Sequence, residues 1–101
     1  MTFFILKEYC VYIIYSLSLD KFYTGYTSQF EKRLAFHNDV ARNNIWSKRG
    51  QPWVKNLLIC DLTKSQALKV EKQIKKMKSK HYIKQLIEDS SLVEKLKDKF
   101  C

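Results

Sequence analysis

Five residues of four types with chemical potential stand at suggestive spacing in this chain. Residues 11 to 37 read VYIIYSLSLDKFYTGYTSQFEKRLAFH, with tyrosines at 12, 15, 23 and 26 and then Arg33 and His37. Tyr12 and Tyr23 sit in two short runs of β-forming residues, so a hairpin lets both project from one sheet face. Arg33 and His37 are four apart and therefore share one side of a helix. Further on, Glu71 is the only acid among eight lysines between residues 64 and 84. A phenol pair, a guanidinium, an imidazole and a carboxylate at the edge of a core suit proton handling, anion neutralisation and cation binding. Each also has an ordinary role. The tyrosines suit half-buried strands, Arg33 suits a surface pair with Glu31 or Asp39, His37 a core edge, and Glu71 an i, i+4 pair with Lys75.

The elements that must position these residues follow from pattern. The chain has 101 residues, 46% hydrophobic and 14% aromatic, with two glycines and one proline, which fits one folded domain over residues 1–101 with a thin core. Residues 9–17 read as a first strand and 22–26 as a second, joined through SLSLDK. A helix is expected after Ser28 as N-cap, with Phe30, Leu34 and His37 on its apolar side. Residues 38–51 are polar and basic and read as a loop or broken helix. Residues 53–62 form the third strand. Thr63 and Gln66 make a capping box ahead of a helix with Ala67, Val70, Ile74 and Met77 as its stripe, ending near Ser79. A short helix over 81–87 follows. Ser91 and Glu94 suggest a second capping box for a terminal helix over 91–101 carrying Leu92, Leu96 and Phe100. The order β-β-α-β-α-α predicts an α+β domain, a small and mostly antiparallel three-stranded sheet flanked by helices.

Charge narrows the partner. Nineteen Lys and Arg against ten Asp and Glu leave a formal +9, and the lysine block favours a polyanion, because neutralising phosphates releases counterions. Nucleic acid is the expected partner; a solvated lysine face is the plainer alternative. Backbone contacts are expected from Tyr26, Arg42, Lys48, Arg49, Lys72, Lys75, Lys76, Lys78 and Lys80. Trp46, in the basic loop, offers either a base-stacking surface or a packing anchor. No apolar run approaches membrane-spanning length, and the start MTFFILKEY does not read as a signal peptide. Cys10, Cys60 and Cys101 form no metal-ligand pattern; Cys10 and Cys60 read as buried free thiols, which points to the cytoplasm. Two histidines exclude a multi-histidine metal site, and there is no glycine-rich phosphate loop, HExxH or nucleophile elbow.

The order of the motifs is more specific than any member. Val11-Tyr12-Ile13, then Tyr23-Thr24-Gly25, then Arg33 and His37, then Glu71 within KVEKQIKKMKSKHYIKQLI resembles the GIY-YIG nuclease superfamily. The similarity covers a motif-bearing core of about 9–87 and is nearest to small stand-alone members. Val11 replaces the first motif's glycine, Thr24 the second motif's isoleucine, and Tyr26 stands where some members carry lysine. A late asparagine of some relatives has no counterpart. The resemblance implies an endonuclease acting on phosphodiester bonds, of use in DNA repair or recombination, with Tyr12, Tyr23, Arg33, His37 and Glu71 as catalytic residues. Glu71 would hold one Mg²⁺ or Mn²⁺, Arg33 would neutralise transition-state charge, and Tyr12 would act on the attacking water with Tyr23 holding the phosphate or the water. A free tyrosine titrates near 10, so Arg33 and the cation must lower Tyr12, or His37 must take its proton. With no recognition domain, structure-selective or nonspecific cutting is expected from a monomer or weak homodimer. The alternatives are a noncatalytic nucleic-acid-binding module on the same fold and a basic adaptor domain.

Overall fold

A computed structural model describes residues 7–43 and 45–100, and for Trp46 the backbone alone. Strand β1 spans Tyr9–Ser16, β2 Lys21–Thr27 and β3 Trp53–Leu62. They form one antiparallel sheet in the order β2-β1-β3. The central strand explains its own sequence: Val11 to Ile14 are at most 1% exposed, so both faces need apolar residues and the run does not alternate.

The helices are α1 (Phe30–His37), α2 (Lys64–Met77), α3 (Lys80–Glu88) and α4 (Ser90–Lys99), with a short 3₁₀ helix over Trp46–Gly50. One sheet face presents Val11, Ile13, Ile59 and Leu62 to Ala67, Val70 and Ile74 of α2, Leu86 of α3 and Leu96 of α4. The other face gathers Tyr12, Ile14, Phe30 and Trp53, with Tyr23, Leu34 and Leu58 at its margin. The first face is the hydrophobic core; the second is a thinner layer rich in rings, and it holds the chemistry.

The α+β architecture and its element order match the sequence reading, while four details differ. Helix α1 begins one residue later than expected: Ser28 does not cap it, Gln29 occupies the N-cap position, and Thr27 Oγ1 accepts from Gln29 N–H at 3.0 Å. At α2 the Thr63–Gln66 capping box forms as expected. Met77 leaves the apolar stripe, 45% exposed, because the chain turns into a left-handed conformation at Lys78 (φ 47°) directly after it. Ser91 is not the N-cap of α4 either. Asp89 is, since its carboxylate accepts both the Ser91 N–H (2.9 Å) and the Ser91 hydroxyl (2.6 Å), which ties up the group that a Ser91 cap would need.

The fourth difference concerns the thiols. Cys10 and Cys60 are half-buried and joined as a disulfide between β1 and β3, their Cα atoms 4.1 Å apart. They lie where the β1–β3 register shifts between Tyr9 and Val11. Sequence spacing of 50 residues concealed a pairing that only strand register creates. The free-thiol ground for a reducing compartment therefore falls away. The N-terminal residues 1–6 and Cys101 lie outside the described residues, as does the side chain of Trp46. Among the described residues no helix is long and apolar enough to cross a membrane.

The pairing is checked by thiol alkylation of protein purified without reductant and denatured. Cys10 and Cys60 should stay unlabelled until reductant is added, with a Cys10–Cys60 crosslinked peptide in the unreduced digest.

Candidate active site

The site is built outward from Tyr12. In the β1–β2 register Tyr12 lies opposite Gly25, and Ile14 lies opposite Tyr23. Opposed residues point to the same face, so Tyr12 and Tyr23 are diagonal neighbours with ring centroids 6.1 Å apart. The phenol of Tyr12 lies across Gly25. A Cβ at residue 25 would collide with Tyr12 Oη and Cζ and stand 2.9 Å from Cε1. Gly25 is in ordinary extended backbone; it is needed for what it lacks, a side chain under the ring.

Tyr12 cannot move aside, because Phe30, Tyr23 and His37 enclose it with centroids at 5.6, 6.1 and 6.0 Å. His37, the last residue of α1, is completely buried. Its Nε2 lies 3.1 Å from Tyr12 Oη and its Nδ1 lies 2.9 Å from Ser47 Oγ. Asn43 Nδ2 donates to Ser47 Oγ (2.9 Å) and to the His37 carbonyl (3.0 Å), and Gln51 Nε2 donates to that carbonyl at 2.8 Å. Trp53 Nε1 donates to the Ser47 carbonyl at 2.6 Å. Among the described residues every buried side-chain polar atom has a partner, as expected where an unsatisfied group would cost ~1–3 kcal/mol.

Arg33, one turn before His37, brings its guanidinium within hydrogen-bonding reach of both Tyr12 and Tyr23, which holds it firmly protonated. It also lies over the Phe36 ring at 5.0 Å. From the far side comes α2, packed across β2 and β1. Its Glu71, 16% exposed, accepts from Lys75 Nζ at 3.0 Å, and Lys75 in turn stands 5.8 Å over the ring of Tyr23. Glu71 is near enough for its charge to act on the Tyr12 phenol. Two helices on opposite faces thus deliver a guanidinium and a carboxylate to one edge, where the two tyrosines stand.

A family model described as the GIY-YIG catalytic domain matches residues 8–84. The chain belongs to the GIY-YIG family. No curated protein and no solved structure matches it significantly. The match covers all three strands and reaches from the first tyrosine motif through α2 into α3, so the GIY-YIG core contains each of the five residues brought together here.

Within this GIY-YIG domain the electrostatics depart from the simplest expectation. Burial outweighs the hydrogen bond from Arg33 and pushes Tyr12 up to about 12. Burial, helped by the Arg33 charge, pushes His37 down to about 4. Tyr12 and His37 are therefore both neutral around pH 7, and Arg33 by itself does not lower Tyr12 below its ordinary value. As for a cation, no group of three or more His, Cys, Asp or Glu exists among the described residues. The donor set is the single Glu71 carboxylate, which suits a hard cation such as Mg²⁺ that keeps most of its waters and completes its shell with phosphate oxygens.

The expected backbone-contact residues do not all join this site. Tyr26 lies on the opposite sheet face, opposite Val11 and packed near Tyr9 at 6.1 Å, because one residue along a strand reverses the side. Lys75 is at the site itself. Lys78 and Lys80 surround the turn between α2 and α3, Lys80 being held by Asp20. Lys72 and Lys76 are exposed further round α2, beside Lys69 and Phe100. Lys48 and Arg49 are exposed on the 3₁₀ helix, and Arg42 pairs with Asp39 at 3.6 Å. Asn43, Ser47 and Gln51, which lock His37, were not singled out from sequence; a polar loop without periodicity gives no sign that its side chains point inward.

Gly25→Ala should cost ~1–3 kcal/mol in urea denaturation, the range for forcing an added methyl into a packed site. The neutral, buried His37 also sets a pH dependence. The unfolded chain takes up a proton at His37 near pH 6.5, the folded protein not until about 4, so stability present above 6.5 is lost as pH falls through that window. The loss should be on the order of 3 kcal/mol, and a His37→Gln variant should lack that component when melting is compared across pH.

Proposed function

We propose that this protein is a divalent-metal-dependent endonuclease that hydrolyses phosphodiester bonds in nucleic acid, with DNA the favoured substrate. The observation that carries the reading is the meeting of Tyr12, Tyr23, Arg33 and Glu71 at one edge of the sheet, with His37 locked behind Tyr12. The surplus of lysine on α2 and around its C-terminus supports a polyanionic substrate.

In this scheme Glu71 would hold Mg²⁺ or Mn²⁺, which when bound neutralises a non-bridging phosphate oxygen and stabilises the leaving oxygen. Arg33 presents a planar, always charged fork to the phosphorane, whose extra negative charge develops only in the transition state. Tyr23, within reach of Arg33, holds the phosphate. Tyr12 orients the attacking water, and His37 Nε2 fixes the rotation of the Tyr12 hydroxyl. Full proton transfer from Tyr12 to His37 is the least favourable route. With one near 12 and the other near 4, it is uphill by on the order of 10 kcal/mol. Tyr12 takes a proton from the attacking water only as the phenolate, formed by loss of its own proton to solvent once the positive charges of Arg33 and the cation bring its pKa down. The water oxygen bonds to phosphorus as the bond to the ester oxygen breaks, and that oxygen takes up a proton from solvent.

One such site cuts one strand, so a monomer or weak homodimer breaks a duplex by pairing or by two encounters.

Purified protein is incubated with end-labelled single-stranded, duplex and branched DNA and with RNA, with Mg²⁺, Mn²⁺ or chelator, alongside Glu71→Ala. Wild-type cleavage should require the cation, and Glu71→Ala should lose it by at least 10²-fold while binding is retained. Undiminished cleavage by Glu71→Ala overturns the scheme.

A further inference from the structure

A cleft of about 490 Å³ opens beside Tyr23, between the outer edge of β2 and the turn joining α2 to α3. That volume lies in the range of built small-ligand sites, ~300–1,000 Å³. Its floor is apolar: Ile74, 2% exposed, with half-buried Phe22 and Ile83. Its rim is basic, with Lys21, Lys75 and Lys78, and no acid lines it. Lys80 closes one end, its Nζ donating to the Asp20 carbonyl oxygen at 2.7 Å and to Asp20 Oδ2 at 3.1 Å. The side chains of Lys21 and Lys78 make no hydrogen bond or ion pair among the described residues, although the Lys78 backbone N–H donates to the Lys75 carbonyl.

We propose that this cleft is a subsite for one unpaired nucleotide of the substrate strand. This rests on the nuclease reading above and names the substrate class: nucleic acid with an unpaired nucleotide next to the cut, as in a flap, bulge or single-stranded end. Two features lead there. Tyr23 belongs both to the cleft and to the reaction site, and Lys75 spans from Glu71 to the Tyr23 ring, so a strand in the site continues into the cleft. The cleft also combines two chemistries. Lysines by themselves fit the phosphates of any duplex, which need no apolar floor. A base offers its face to an apolar wall only when it is out of the stack. Ile74, Phe22 and Ile83 would meet the base while Lys21 and Lys78 meet its phosphate.

The test measures binding with the Glu71→Ala protein, which leaves substrate intact. Oligonucleotides of equal length, as DNA and as RNA, are compared as a perfect duplex and as a duplex with one unpaired 2-aminopurine. The unpaired form should bind at least tenfold tighter, with a change in 2-aminopurine fluorescence. Lys21→Ala/Lys78→Ala, at two exposed positions that leave the fold intact by circular dichroism, should bring that ratio near one. Lys72→Ala/Lys76→Ala should weaken both forms alike. The DNA and RNA arms show which strand supplies the nucleotide. Equal affinity for both forms, or equal weakening of both by Lys21→Ala/Lys78→Ala, overturns the subsite even if the wild type cleaves. Retained preference in a wild type that cleaves nothing supports the subsite and overturns the nuclease reading instead.

Discussion

One side chain laid flat across a glycine organises the reactive half of this molecule. Tyr12 issues from the central strand, where the core fixes its backbone, and crosses Gly25 toward the sheet edge. There its oxygen meets His37 from behind and Arg33 from the side, with the charge of Glu71 within range. Moving the ring would disturb each of these contacts together. A side chain at residue 25 would move the ring.

The two faces of the sheet divide the labour. The face under α2, α3 and α4 is a conventional apolar core, and it supplies the rigidity that holds β1 in place. The face under α1 is mostly rings and buried polar atoms, where apolar burial is smaller and hydrogen bonds do the positioning. A buried polar network of this kind holds only if it is complete. The loop after α1 completes it, through Asn43, Ser47 and Gln51. Irregular structure here is the support of the site and not a connector.

The charges are arranged with a related logic. Burial keeps the Tyr12–His37 pair neutral, while Arg33 and Lys75 carry positive charge at the open edge. A neutral interior behind a positive rim draws an anion to the surface and does not hold an ion inside, where desolvation would be costly. Glu71 gives that rim its negative point, held by Lys75 at 3.0 Å.

By itself the sequence determined the strands, the order of elements, the capping box at Thr63 and the five residues of the candidate site. These depend on local propensity, period and spacing, which pattern carries. It misread Ser28 and Ser91 as caps because side chains close in sequence compete for the same N–H groups, and the competition is settled by geometry. It counted Tyr26 among the nucleic-acid contacts, and the strand's alternation turns that side chain to the face away from Tyr12 and Tyr23. Tertiary structure alone decided the Cys10–Cys60 pairing, the inward turn of Asn43, Ser47 and Gln51, and the rise of Tyr12 to about 12 against the fall of His37 to about 4. Each of these depends on strand register or on depth below the surface, and both are set by contacts between residues far apart in the chain.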